Sequence, residues 1–182
     1  MPTHVALLRG INVGGRAAID MADLRRVVES LGHAGVSTYV RSGNVLFSTG
    51  RSDGPAMAAE LERAVADRLG VAPRVVVLSR DELARADADD PFADEPDPKR
   101  VHAVFLTADP DAAFVGRVAA AQERAGGRDR TAVLGRVLYL HTPDGYGRSR
   151  LAEALLRLTA GEPAGTARNR STVRTLLRLC DG

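Results

Sequence analysis

The strongest constraint on this chain is the order in which its hydrophobic periods change over the first eighty residues. Residues 4–9 (HVALLR) are an apolar run of strand length. Met21, Leu24, Val27, Val28 and Leu31 then recur at helical spacing behind Asp20, a capping residue, and Gly32 supplies the stop. Residues 36–41 (VSTYVR) read as a second strand, Ser42-Gly43-Asn44 as a turn, and 45–48 as the returning strand of a hairpin. Met57, Leu61, Val65 and Leu69 follow Pro55 at a spacing of four, Gly70 ends that helix, and 74–78 (RVVVL) form a last strand. Strand, helix, strand, strand, helix, strand is the split βαβ, or ferredoxin-like, pattern. It predicts an α+β fold with an antiparallel sheet and both helices on one face.

A second unit echoes the first. Ser79 and Glu82 make a capping box for a short helix through about residue 86, and 89–98 holds three prolines and five acids. Residues 101–106 (VHAVFL) read as a strand. Asp109-Pro110 is expected to cap and start a helix lined by Phe114, Val118 and Ala121, ending near Gly126-Gly127. Gly135-Arg136 is a tight turn between strands 130–134 and 137–141. A helix over 149–160 and a last one carrying Val173, Leu176, Leu177 and Cys180 follow. This unit ends on a helix where the first ends on a strand, so it is expected to be similar but incomplete. The division is 1–80, a ferredoxin-like unit; 81–98, a short helix and an acidic, proline-rich linker; and 99–182, the second unit.

Charge follows the same division. Residues 1–80 carry ten Arg against seven acids, 81–98 carry eight acids against Arg85, and 99–182 carry fourteen basic residues against eight acids. The acidic stretch reads as a solvated linker between two mildly basic bodies. A single cysteine, Cys180, excludes a disulfide framework and a cysteine-based zinc site within one chain. No apolar run approaches the roughly 18 residues that span a bilayer, and no basic, cleavable leader precedes the first strand, so a cytoplasmic protein with no membrane partner is expected. The four histidines are scattered, and GxSxG, HExxH, CxxC, GxGxxG and the Walker lysine loop are all missing. No catalytic residue, metal site or cofactor is assigned.

Four segments carry a family likeness. ALLRGINVGG (6–15), with MADLR (21–25) and TYVRSGNVLF (38–47), is joined by PDGYGRSRL (143–151) and TARNRSTV (166–173). Together they resemble the bacterial domain-of-unknown-function family numbered 1697, over nearly the whole chain. Two positions depart from its pattern: Arg170 stands where Trp is usual, and Ser171 where Asn is usual. The resemblance implies the fold and an intracellular setting and leaves activity open.

The expected topology brings separated motifs together. With the third strand antiparallel between the first and second, the first strand ends at the edge where the second turns into the third. That edge carries Arg9, Gly10, Asn12, Gly14, Gly15 and Arg16 from one motif, and Arg41, Ser42, Gly43 and Asn44 from the other, beside the start of the first helix. Glycines let backbone approach a ligand, free N–H groups at a helix start attract anions, and the Arg fork suits phosphate or carboxylate. Against this, the glycines serve turns, the two Asn are turn formers, and Arg9 or Arg41 can pair with Asp20 or Asp23. Arg148 and Ser149, and Arg168 and Asn169, stand before helices and are secondary candidates, with capping the competing role of Ser149 and Asn169.

The leading expectation is a binding module for an anionic, phosphate-bearing ligand, a nucleotide or a nucleic acid. Only Tyr39 and Phe47 sit on the central hairpin, which disfavours a sheet that stacks RNA bases. The alternatives are an enzyme holding a phosphorylated or carboxylated small molecule through Arg9 and Arg41, and a protein–protein interaction module. Oligomeric state is left open.

Overall fold

A computed structural model of the chain describes residues 1–13 and 18–182. The chain divides into one unit of Met1–Arg85 with Thr175–Gly182, and another of Ala86–Arg174.

The first unit runs β1 (His4–Leu8), α1 (Met21–Ser30), β2 (Ala34–Tyr39), β3 (Asn44–Ser48), α2 (Gly54–Leu69) and β4 (Val75–Ser79), followed by α3 (Arg80–Ala88). Its four strands lie in the order β2-β3-β1-β4, every pair antiparallel. This is the ferredoxin-like arrangement, and both helices cover one face. Ala6, Leu8, Val45, Phe47, Val75 and Val77 meet Leu24, Val27 and Val28 of α1 and Met57, Leu61 and Val65 of α2 in a single core. Each such fully buried aliphatic or aromatic side chain contributes about 1.5–3 kcal/mol, which is why the helical spacing reads so clearly in the sequence. Asp20 caps α1, Asp53 caps α2, and Gly70 closes α2 in the left-handed conformation. Ser79 and Glu82 form the capping box at the start of α3, each accepting the other's backbone N–H at 2.8 and 3.2 Å.

The second unit runs β5 (Val101–Leu106), α4 (Ala112–Ala125), β6 (Arg130–Leu134), β7 (Val137–His141), α5 (Arg150–Leu158) and β8 (Gly165–Asn169); α6 (Arg170–Asp181) follows, its residues from Thr175 on belonging to the first unit. Its strand order is β6-β7-β5-β8, the same circuit as the first. Val104, Leu106, Leu138 and Leu140 pack with Phe114, Val118 and Ala121 of α4 and Leu151, Ala152 and Leu155 of α5.

Three details correct the sequence reading. The second unit is complete: β8 is its fourth strand, paired with β5 from His102↔Asn169 to Leu106↔Gly165. Its sequence, GTARN, has one β-branched residue, and an edge strand needs little apolar alternation. The α4 cap is Asp111, whose carboxylate accepts the Phe114 N–H at 2.6 Å, so Pro110 precedes the cap instead of starting the helix. The second strand stops at Tyr39, because Val40 takes a φ of 50° and turns the chain.

The acidic, proline-rich stretch is fixed at two points within the second unit. Asp90 is buried and receives Arg170 Nε at 2.7 Å, and Glu95 receives His141 Nε2 at 2.7 Å. Arg170 Nη1 also donates to the Glu95 carbonyl at 2.8 Å, and Nη2 to the Phe92 carbonyl.

Candidate functional site

The end of the first sheet is where the predicted motifs fall. β1 and β3 pair from His4↔Phe47 to Leu7↔Asn44, so the C-terminal end of β1 lies beside the 40–43 turn. The Leu8 N–H donates to the Gly43 carbonyl at 2.8 Å, and the Arg9 N–H to the Arg74 carbonyl at 2.9 Å.

Asn12 joins the two motifs. Its Nδ2 donates to the Arg41 carbonyl at 3.0 Å and to the Ile19 carbonyl at 3.1 Å, and its Oδ1 accepts the Ile19 N–H at 2.8 Å. One side chain therefore closes the glycine-rich connection at both ends and ties it to the hairpin. Asn12 sits at φ 55°, a left-handed conformation that Asn tolerates. Ile11 and Ile19 are buried in the core of the unit. Gly43 is required on two grounds. Its φ is 76°, and a Cβ there would lie 2.9 Å from Leu8 Cβ and 3.0 Å from Ile11 Cδ1.

The remaining candidates divide by role. Asn44 is fully buried and donates to the Tyr39 carbonyl at 3.1 Å and to Ser42 Oγ at 3.0 Å, so these two side chains shape the turn. Gly10 has a φ of 67° and open space around it. Arg9 is half-buried. Arg41 is exposed, and its guanidinium makes no hydrogen bond or ion pair among the described residues. Gly14, Gly15 and Arg16 lie outside the described residues.

The helix start proposed as an anion attractor is already occupied. Asp20 Oδ1 accepts the Ala22 and Asp23 N–H groups at 2.8 and 3.2 Å. These two backbone donors, Asp23's foremost, hold its carboxyl below the usual range. An anion at this edge would meet Arg side chains and loop backbone, with the α1 dipole already answered by a carboxylate.

The secondary candidates are structural or separate. Asn169 caps α6 through the Thr172 N–H at 2.8 Å. Burial lowers the Arg168 guanidinium to about 10, and its Nη1 donates to Thr166 Oγ1 and the Ala167 carbonyl, each at 2.8 Å. Ser149 Oγ caps α5 through the Ala152 N–H at 2.8 Å and donates to Asp129 Oδ2 at 2.6 Å. Arg148 is exposed beside Ser149 on the wall of an open depression of about 230 Å³.

Sequence reasoning missed Val13 and Val40, which are 65% and 52% exposed at this same junction. A β-branched residue in a strand-like run carries no local signal that it will turn the chain. Among the described residues no group of three or more His, Cys, Asp or Glu is placed to hold a metal ion, and no helix is long and apolar enough to cross a membrane.

No curated protein matches the chain. A solved structure, that of the conserved bacterial protein SP0830 from Streptococcus pneumoniae, superposes with a TM-score of 0.74 at 24% identity over 98% of each chain. That likeness speaks for the fold alone. The model of a family described as protein of unknown function, DUF1697, matches residues 1–139, which hold the long first motif, the turn motif and the whole Asn12 junction. The chain belongs to the DUF1697 family.

Proposed function

We propose that the first unit binds an anionic, phosphate-bearing ligand, a nucleotide or a nucleic acid, where the connection 9–20 meets the turn 40–43. The observation that carries this reading is the Asn12 bracket, which holds both segments together over 3.0–3.1 Å bonds and leaves the Arg41 guanidinium exposed beside them. The second unit supports it by contrast. There the equivalent connection is only 107–111 and the equivalent turn only 135–136. The fold closes without the extra residues, so their joining in the first unit serves something other than closure. A planar, permanently charged fork on a braced turn is suited to phosphate oxygens. We assign the protein to the bacterial cytoplasm on the same reading; its one cysteine, a buried free thiol, is compatible with a reducing compartment.

Calorimetric titration of the wild-type protein and of Arg41→Ala with inorganic tripolyphosphate and with ATP tests the proposal. Losing one charge-assisted hydrogen bond weakens binding by about 1.5–3 kcal/mol, while the melting temperature stays put because the guanidinium has no partner to lose among the described residues. Equal affinities for the two proteins, or no binding of either probe to wild type, would refute the assignment.

A further inference from the structure

The connection that leads into the second helix differs between the two units. In the first unit it is 49–53, between β3 and α2, and Asp53 caps the helix through the Ala56 N–H at 3.0 Å. In the second unit it is 142–149, between β7 and α5, and it contains a 3-10 helical turn over Tyr146–Arg148. The cap there is the neutral Ser149, which stands between Arg148 and Arg150. Both arginines are exposed, and neither guanidinium makes a hydrogen bond or ion pair among the described residues. Two cations at the start of a helix oppose its dipole, so helix stability does not select them.

Arg148 and Arg150 line one open depression of about 290 Å³, together with Tyr146, Ala152, Glu153 and Leu156. Tyr146 packs against the core of its unit, and its ring lies 4.1 Å from that of His102 at 31°, so it forms a fixed aromatic edge. Leu156 is 52% exposed. Glu153 is paired with Arg157. In the adjoining depression Asp144 is paired with Arg128, and Asp129 accepts the Ser149 hydroxyl at 2.6 Å. The 290 Å³ depression therefore joins two unanswered cations to an apolar wall, in a volume that holds one small molecule.

We propose that this depression is a second ligand site, separate from the one in the first unit, and that it takes a small phosphomonoester carried on an apolar or aromatic group. Its phosphate oxygens meet Arg148 and Arg150, and its organic part lies along Tyr146 and Leu156. The charge selects the phosphate: a phosphomonoester carries about −1.5 to −2 near pH 7 and matches two planar forks, whereas a carboxylate carries half of that. Ser149 already occupies the Ala152 N–H, so the arginine side chains, not the helix end, supply the attraction. A nucleic-acid strand would need a stacking residue and a cation repeated along a groove.

NMR titration of the full, isotopically labelled chain with phenyl phosphate, inorganic phosphate and benzoate tests the proposal. Run in an Arg41→Ala background, which disables the first-unit site, it reports on this depression alone. Phenyl phosphate should bind about tenfold more tightly than either of the other two and shift the amides of residues 146–153. Adding Arg148→Gln and Arg150→Gln should weaken it by at least about tenfold and leave the melting temperature unchanged, because neither guanidinium has a partner to lose among the described residues. Leu156→Ser should reduce the preference for phenyl phosphate over inorganic phosphate. No binding of phenyl phosphate, or binding that the double arginine variant keeps, overturns the proposal and leaves the first-unit reading untouched. Benzoate binding as tightly as phenyl phosphate overturns the choice of phosphate, and inorganic phosphate doing so overturns the apolar contact.

Discussion

Arg170 and Asp90 form the buried ion pair of the second unit, each side chain only 4% exposed, with Nη2 to Oδ2 at 2.6 Å. Removing either member leaves a charge with few partners in a place water does not reach. After Arg170→Met, Asp90 keeps one donor, the Phe92 N–H at 2.9 Å, and the Phe92 and Glu95 carbonyls lose the guanidinium that bridged them. After Asp90→Ala, the guanidinium keeps both carbonyls but no counter-charge. Breaking a buried pair in this way costs about 3–5 kcal/mol, a large share of the 5–15 kcal/mol that stabilises an ordinary domain. Arg170→Met is the more damaging of the two because it strands three acceptors at once. For a chain of this size each kcal/mol shifts the melting temperature by about 2–4 °C, so Arg170→Met should lower it by about 6–20 °C.

Urea unfolding followed by circular dichroism measures the loss, and the double variant measures the coupling. With both groups gone no unpaired charge is left, so the double variant should be more stable than the sum of the singles by about 1–3 kcal/mol. A loss under about 1 kcal/mol for Arg170→Met, or strict additivity of the two substitutions, would refute the claim that this pair anchors the acidic stretch.

Three further outcomes follow from the geometry. Gly43→Ala combines a left-handed φ with a Cβ 2.9 Å from Leu8 Cβ, so it should destabilise by about 3 kcal/mol, whereas Gly10→Ala, with nothing within 4 Å, should lose only the roughly 1 kcal/mol of the φ penalty; equal losses would show the close approach to be unimportant. Burial lowers the His102 imidazole to about 4, and the unfolded chain binds that proton near pH 6.5, so stability is full above pH 6.5 and falls by about 3 kcal/mol as pH drops toward 4; His102→Leu should flatten that part of the profile in urea titrations at successive pH values. Arg80 meets Asp181 at 2.9 Å with side chains 41% and 53% exposed, so Arg80→Ala should have a small effect that disappears in 1 M salt; a loss as large as that of Arg170→Met would contradict the role given to burial.

The readable parts of this chain are those set by local periodicity and by topology. Met57, Leu61 and Val65 announce α2 because burial on one face imposes a helical period. That the end of β1 lies beside the 40–43 turn is legible in the sequence, because the split βαβ order dictates which strand ends share an edge. What was hidden depended on distant partners. Asp90 sits in a stretch whose composition reads as solvated linker, and its buried partner lies eighty positions away. Val40 belongs to a run, VSTYVR, with strong strand character, yet the chain leaves the sheet after Tyr39. β8 was missed because an edge strand beginning on Gly165 carries almost no alternation.

The repeated architecture separates what serves the fold from what serves the site. The registers align His4 with His102, Phe47 with Leu140 and Ser79 with Asn169. On that alignment the two units share their closing bonds. Leu8 N–H to the Gly43 carbonyl at 2.8 Å matches Leu106 N–H to the Arg136 carbonyl at 2.9 Å, and Arg9 N–H to Arg74 matches Thr107 N–H to Ala164. Both last strands end on a residue that caps the next helix, Ser79 for α3 and Asn169 for α6. Shared features of this kind are requirements of closing the sheet, and substituting them should lower stability in either unit. The Asn12 bracket, the strained Val40 and the exposed Arg41 have no counterpart at the 135–136 turn, where the chain reverses with Gly135 at φ 54°. A feature that one copy of the fold lacks, while its sheet still closes, is not required for closing the other. Val40 moreover opposes the conformational preference of its residue type, so stability alone does not select it. Closing the sheet therefore does not account for the Asn12 bracket, the positive φ of Val40 or the exposed Arg41, and these mark the asymmetry between the two copies of the fold.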